Sequence, residues 1–322
     1  MPQSDALWYV ADGRVETRAV DVPALHNGEV RVAARYSGVS RGTERLVLQG
    51  RVPPSEYERM RCPRQEGAFP FPVKYGYALA GVIEDGPKEH LGRNVFLLHP
   101  HQRVLNAPRT DVHFLPKDVP LRRAALAANM ETALNVIWDA DVLPGDKVLI
   151  VGGGVLGLLI AGIAARIPGT TITVADTDAT RAAAIEKMGA VFATPDNAPP
   201  EQDVVIHTSS SEDGLRTALR CAGTEARVVE ASWFGNRAIA VPLGEAFHAR
   251  RLQLVSSQVG AVPAARRARW TYARRMAAAL DLLRDARFEA LITNEIAFAD
   301  APAKLPAALT SNAGFMTILT YT

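Results

Sequence analysis

Three glycines and one acid in this chain are spaced for nucleotide chemistry. Gly152, Gly154 and Gly157 form a G-x-G-x-x-G pattern, with Val155 and Leu156 inside it, and Asp176 follows Gly157 by 19 positions. Gly152 permits a sharp turn, Gly154 lets a pyrophosphate approach the backbone, and Gly157 lets a helix lie close to a sheet. The helix N-terminus supplies free N–H groups and the positive end of its dipole. Asp176 stands where a carboxylate accepts from an adenosine ribose diol, which favours NAD(H). Arg181, in the helix that follows, can reach a 2′-phosphate and keeps NADP(H) open.

The local order around these residues gives the pattern its meaning. An apolar run over 148–151 precedes the glycines, and a helix-like run extends to about Arg166. Pro168 and Gly169 stop it, and a second apolar run over 171–175 ends at Asp176. Strand, tight turn, helix, strand and acid make one βαβ unit. Beyond it the β-α rhythm continues, with strands expected at 204–207, 226–230 and 252–256 and helices at 179–188 and 212–219. That rhythm predicts a doubly wound parallel sheet. Ligands bind beyond the carboxyl ends of such strands, which brings in Thr208 and Ser209, Ser232, and Ser256 and Gln258 as cofactor-facing positions. His207, at the end of its strand, is read as lining the adenosine side rather than acting as a base.

Upstream, residues 6–36 alternate apolar and polar positions between Asp12-Gly13 and His26-Asn27-Gly28 turns, a β pattern. A polar turn, SGVSRGTE, leads into a short helix-like segment. The stretch 51–72 is rich in Pro and Arg and reads as a long loop. Arg51, Arg59, Arg61 and Arg64 in it suggest a substrate carboxylate, since guanidinium forks match carboxylates. Strand character returns at 73–86 and 95–98, one helix is expected over 121–138, and one long helix over 266–287. The expected domains are 1–125, then a nucleotide domain at 126–262, then a helix and tail at 263–322 that rejoin the first.

Composition narrows the field. The chain has 322 residues, 48% of them hydrophobic, with a formal charge of +2, so a concentrated polyanion-binding surface is not expected. The arginines at 266, 267, 269, 274 and 275 read as a solvated helix face. Two distant cysteines, Cys62 and Cys221, form neither a disulfide framework nor a zinc knuckle. The longest apolar run lies inside the nucleotide motif, and no leader or membrane span is read, so a cytoplasmic protein is expected.

The SGVSRGTE turn, the KYGYALAGVI segment and VLPGDKVLIVGGGVLG together resemble the medium-chain dehydrogenase/reductase superfamily. The resemblance covers nearly the whole chain and is strongest over 141–190. With GVLGLL and LITNEIAFADAPAKL, it is most similar to the bacteriochlorophyllide hydroxyethyl dehydrogenase-like branch, from which the insert at 50–72 departs. The resemblance implies an α/β fold with a GroES-like β-barrel domain and a Rossmann domain, a cleft with the nicotinamide at its base, a small-molecule substrate and a homodimer. Zinc-dependent members carry Cys in the turn, His-Glu in the later segment and a third ligand from a helix. Here those places hold Ser40 or Gly42, Tyr77 and Ala78, and the stretch around Asn129, Met130 and Glu131. No metal is assigned, because zinc takes thiolate, imidazole or carboxylate. His99 and His101 would share a face in a strand and are read as loop or surface histidines. The expected activity is hydride transfer to or from a ketone, secondary alcohol or activated alkene. Tyr77 is the first candidate to stabilise developing charge on oxygen, followed by Ser40 and Thr43. Glu44 and Glu131 are candidates for proton relay or for holding Arg41. The other readings are a dinucleotide-binding sensor or scaffold without turnover, and an enzyme with a metal on the histidine pair.

Overall fold

The architecture comes from a computed structural model that describes residues 3–321. The chain divides into two compact units. The first takes the chain through Ala128 and again from Ile292. The second is Asn129–Leu291.

In the first unit, strands β1 (Gln3–Ala11) and β2 (Arg14–Asp21) form the expected hairpin over Asp12-Gly13. After β3 (Glu29–Val39) comes helix α1 (Arg41–Leu48), then β4 (Glu66–Gly67), β5 (Val73–Lys74), β6 (Leu79–Asp85), β7 (Asn94–Leu97), β8 (Val104–Pro108), β9 (His113–Phe114) and helix α2 (Leu121–Ala124). One sheet runs β2-β1-β5-β4. Strand β3 is central to the other, because its length lets it pair antiparallel with β6 along most of its course and with β8 at its start. The stretch 51–72 is a loop broken only by a short 3-10 turn at Pro54–Glu56 and by β4.

The second unit opens with α3 (Ala127–Ala140), whose first two residues belong to the first, and proceeds through β10 (Lys147–Val151), α4 (Val155–Ala164), β11 (Thr171–Ala175), α5 (Ala182–Lys187), β12 (Val191–Ala193), β13 (Gln202–His207), α6 (Glu212–Cys221), β14 (Ala222–Glu230), β15 (Gln253–Ser256), α7 (Ala264–Arg267) and α8 (Tyr272–Leu282). Its six strands are all parallel, in the order β12-β11-β10-β13-β14-β15. The order reverses beside β10, so the carboxyl ends of β10 and β13 flank a topological switch point. Strand residues 148–151 and 204–206 are buried on both faces, which is why they read as unbroken apolar runs.

The chain then returns to the first unit as β16 (Ile292–Ala297), α9 (Ala301–Thr310) and β17 (Met316–Thr320). Strand β17 pairs with β16 on one side and with the end of β3 on the other.

Several boundaries differ from the expectations. The helix expected over 121–138 is two helices, because Ala125 and Leu126 close tight i→i−3 turns onto Arg122 and Arg123. The long helix over 266–287 is also interrupted: Thr271 is an N-cap whose hydroxyl accepts from Arg274 N–H, and 286–291 tightens into a 3-10 segment. Residues 263–291 group with the second unit, so the return begins at Ile292 rather than at 263. The short strand β12 had no sequence signal of its own. It forms because its backbone pairs with the exposed side of β11. Among the described residues no helix is long and apolar enough to cross a membrane.

Candidate functional site

In the second unit the three glycines do three different jobs. Gly152 has φ +113°, and a Cβ there would stand 2.7 Å from Thr208 Oγ1. A Cβ on Gly157 would stand 2.0 Å from the carbonyl oxygen of Gly152, so only glycine lets α4 start this close to the turn. Gly154 caps α4, and a Cβ there would meet nothing within 4 Å. The space in front of Gly154 is open, while the space behind its neighbours is filled. This is the cradle that a pyrophosphate needs, with Val155 and Leu156 half-buried in the first helical turn. The residues present fit a dinucleotide.

Asp176 lies at the end of β11 as expected, but it already has partners. Its Oδ2 accepts from Gly153 N–H at 2.6 Å and from Arg181 at 3.2 Å, and its Oδ1 accepts from Asp178 N–H at 2.9 Å. The carboxylate therefore braces the glycine turn. Arg181 also pairs with Asp178 and sets a positive charge beside that position. Thr208 donates to the carbonyl oxygen of Gly152 at 2.9 Å and ties the end of β13 to the turn. Ser209 is exposed. Ser232 accepts from Ser210 N–H at 3.1 Å. Ser256 ends β15, and the Gln258 carboxamide accepts from Gly260 N–H. His207 and Glu230 form a hydrogen-bonded pair at these strand ends that sequence reasoning missed, since 23 residues separate them.

In the first unit the catalytic candidates converge. The hydroxyls of Ser40 and Thr43 both lie near enough to the Tyr77 phenol to act on its charge. All three residues are half-buried. Burial pushes the Tyr77 phenol up to about 12, while the two hydroxyls pull it back. The phenol therefore keeps its proton at neutral pH and can donate it. Tyr75 meets the Tyr77 ring edge-on at 6.1 Å.

Beneath this cluster Glu44 is wholly buried and fully satisfied. Its Oε1 accepts from Ser40 N–H at 2.7 Å. Its Oε2 accepts from the Tyr9 hydroxyl at 2.6 Å and from His101 Nε2 at 2.9 Å. His101 Nδ1 lies 2.7 Å from Ser37 Oγ, which lies 2.8 Å from the Tyr321 hydroxyl. A carboxylate only accepts, so a neutral His101 donates from Nε2, accepts from Ser37, and leaves Ser37 to accept from Tyr321. Gly76, at φ +122°, leaves room for the His101 ring, 2.8 Å from where its Cβ would be.

Other candidates have different partners. Arg41 donates to the carbonyl oxygens of Ser311, Ala313 and Gly314. Glu131 is buried in the second unit against Arg275 at 3.0 Å, and Arg275 also donates to Asn135 and to Val259 O. That buried ion pair gives Glu131 an architectural partner in Arg275 rather than in Arg41. Arg59 pairs with Glu56, Arg61 with Gln65 O, and Arg64 with Asp111, so these three guanidinium groups are already matched within the protein.

The histidine pair needs a correction. His99 and His101 lie outside any strand and are buried, 5% and 0% exposed. The irregular loop after β7 turns them inward, and their polar atoms bind protein: His99 Nδ1 bonds Pro100 O at 2.9 Å. Burial drives His99 down to about 3. Among the described residues no group of three or more His, Cys, Asp or Glu side chains could hold a metal ion. The Ser40, Thr43 and Tyr77 hydroxyls are the wrong donor set for zinc.

Comparison with known proteins agrees with the architecture. No family model matches the chain. The L-threonine 3-dehydrogenase of Ruegeria pomeroyi is 25% identical over 138 residues, 42% of this chain and 40% of that protein. The chain thus spans about two-fifths of the length of the curated relatives it matches. L-idonate 5-dehydrogenase from Escherichia coli K-12 superposes with a TM-score of 0.78 at 16% identity, covering 99% of this chain and 98% of that one. A short chain alcohol dehydrogenase from E. coli CFT073, complexed with NADH, gives 0.76 at 16% identity over 99% and 100%. The fold is therefore that of a GroES-like β unit combined with a Rossmann unit.

Two outcomes are expected from this geometry. Gly157→Ala forces the turn and α4 apart and lowers unfolding stability by about 1–3 kcal/mol. Gly154→Ala leaves stability within about 0.5 kcal/mol but weakens NADH binding, as read by nucleotide fluorescence. Equal effects of the two substitutions on stability would contradict the assigned roles. His99 is neutral in the fold and charges readily when unfolded, so the unfolded chain binds more protons between its ordinary value and about 3. Stability should fall with acid across that window by about 1.4 kcal/mol per pH unit from this group alone. Denaturant titrations of His99→Gln should show a shallower acid limb. An unchanged limb would mean that His99 is charged in the fold.

Proposed function

We propose that this chain is an NAD(P)(H)-dependent oxidoreductase of the medium-chain type, working without catalytic zinc on a ketone or secondary alcohol, or on an activated alkene. The observation that carries the reading is the Gly152–Gly157 turn, filled behind and open in front, with Asp176 at the end of the next strand. The names of the similar dehydrogenases support the same class. The SGVSRGTE, GVLGLL and LITNEIAFADAPAKL segments support a place beside the bacteriochlorophyllide hydroxyethyl dehydrogenase-like branch. The unpaired edge of β15 supports the homodimer that the resemblance implies.

The bound nicotinamide supplies or takes the hydride. The protein's part is to bind, orient and handle charge on oxygen. Tyr77 donates its phenolic proton in a hydrogen bond to the substrate oxygen, with Ser40 and Thr43 donating to Tyr77 in turn. A phenol that accepts from two hydroxyls keeps its own proton for a third partner. Those two bonds strengthen as negative charge grows on the phenol, so they favour the transition state more than the ground state. Glu44, through Ser40 N–H, holds the turn in place. It is a positioning residue.

Dinucleotide selection follows from the Asp176–Arg181 pair. The carboxylate serves the ribose hydroxyls of NAD(H), while Arg181 offsets its charge and admits a 2′-phosphate. NAD(H) is the assigned cofactor and NADP(H) a tolerated one.

Tyr77→Phe should lower kcat by about 100-fold, with KM changed far less, because it removes one donor from the developing oxyanion. The assay is NADH oxidation across a panel of ketones and enones. Wild-type rates in Tyr77→Phe would sink the assignment, and absence of turnover by wild type on the whole panel would favour a binding protein. Arg181→Ala should weaken NADP⁺ binding about tenfold, the value of one charge-assisted hydrogen bond, and leave NAD⁺ within about threefold. Calorimetry on both nucleotides reads the ratio, and equal losses would show that Arg181 merely supports the fold.

A further inference from the structure

The carboxyl ends of β13 and β14 carry an array that dinucleotide binding does not require. Ser209 Oγ lies 2.7 Å from His207 Nε2, and His207 Nδ1 lies 2.6 Å from Glu230 Oε2. The other oxygen of Glu230 accepts from Ser232 N–H at 2.7 Å, which fixes the carboxylate. His207 is wholly buried, yet Ser209 is exposed. Because a carboxylate only accepts, Glu230 accepts a hydrogen bond from the Nδ1–H of a neutral His207. The Nε2 lone pair is then directed at the Ser209 hydroxyl. A hydroxyl against a base that a third group orients is the arrangement of an activated nucleophile.

We propose that Ser209 is such a nucleophile, with His207 as its base and Glu230 as the orienting group, and that it accepts acyl groups from small activated esters. Four further features fit. Ser210 has φ +54°, an uncommon conformation for a residue other than glycine, in the tight turn that leads from β13 into α6 and leaves Ser209 on the surface. Gly214 makes room for the array: a Cβ there would stand 2.2 Å from Ser209 Oγ and 2.7 Å from His207 Nε2. Ser211, not Ser209, caps α6 by accepting from Gly214 N–H, so Ser209 has no capping duty, and its contact with Ser211 Oγ at 2.9 Å holds its rotamer. Gly152 lies against the backbone of Ser209, a Cβ there standing 2.9 Å from Ser209 N. Charge on an acyl oxygen would thus develop beside the turn that opens α4, near its positive end.

In the first step Ser209 Oγ bonds the ester carbonyl carbon while its proton passes to His207 Nε2. Collapse of the adduct breaks the bond from that carbon to the alcohol oxygen, and the alcohol leaves with the proton. Water, deprotonated by the same nitrogen, then attacks the acyl-serine, and release of the acid restores Ser209. No oxidant is involved, and water is the one other reactant.

The test is 4-nitrophenyl acetate hydrolysis by the full chain with no dinucleotide present, together with peptide mapping after treatment with a fluorophosphonate. Run this way, its result is independent of the dinucleotide reading. Expected are a phosphonyl adduct on Ser209, loss of 4-nitrophenol release by about 100-fold in Ser209→Ala, and a similar loss in His207→Gln. Since His207 is buried and its variant can misfold, Glu230→Gln is measured beside it and should slow release at least about tenfold. A Ser209→Ala protein that hydrolyses as fast as wild type, or an adduct mapped elsewhere, overturns the proposal.

Discussion

A carboxylate with no access to water sits at the centre of the first unit, and much of that unit is arranged to tolerate it. Burying a charge is costly unless every lone pair is met. Glu44 is met by a backbone N–H, a phenol and an imidazole, and hydrogen bonds to a charged group are worth roughly 1.5–3 kcal/mol each. The three donors come from the start of α1, from β1 and from the loop after β7. The imidazole then reaches β3 and the end of the chain through Ser37 and Tyr321. One side chain thereby fixes the relative positions of segments far apart in sequence. The turn bearing Ser40 and Thr43 inherits that rigidity, beside the Tyr77 phenol.

The second unit uses the same device at smaller scale. Asp176 captures the N–H of Gly153 and so holds the glycine turn from outside, while Thr208 holds it from the neighbouring strand. A turn restrained on both sides keeps the front of Gly154 clear without closing over it. In both units an acidic side chain bonds a backbone N–H and so orders a loop that must present its open face to something else.

What the sequence made legible was local. The βαβ unit around Gly152 could be read because its signals lie within 30 residues and each follows from backbone geometry. Ser40 and Tyr77 could be singled out because the family resemblance sets them where zinc-dependent members carry ligands, and Thr43 because it lies in the same turn. The Glu44 network was not legible: nothing in GTE, in H-x-H or in the final β run says that these segments meet. The histidines misled for that reason, since a loop histidine reads as surface until the partner that buries it is known. For Glu131 the partner was what could not be read: the arginine that claims it lies 144 residues away rather than at Arg41. The interrupted helices at 125–126 and 270–271 were missed because both stretches are rich in good helix formers and no proline or glycine marks the breaks.

The hydroxyl cluster also bears on which chemistry this version of the fold can support. A metal stabilises an alkoxide at full charge, whereas a phenol held near 12 offers a hydrogen bond and a proton without ever becoming a strong acid. Such a donor is best matched to substrates whose developing oxygen charge is already dispersed. An enone reduced to its enolate, or an alcohol flanked by a conjugated ring, asks less of the donor than a simple aliphatic alcohol does. Ser40 and Thr43 would extend that reach modestly, because two hydroxyls beside the phenol can share its growing charge. The same scaffold with thiolate and imidazole at these places would serve unactivated alcohols. On the proposed reading, with hydroxyls doing this work, the substrate itself would carry part of the activation, and conjugation next to the reacting carbon is the property to look for.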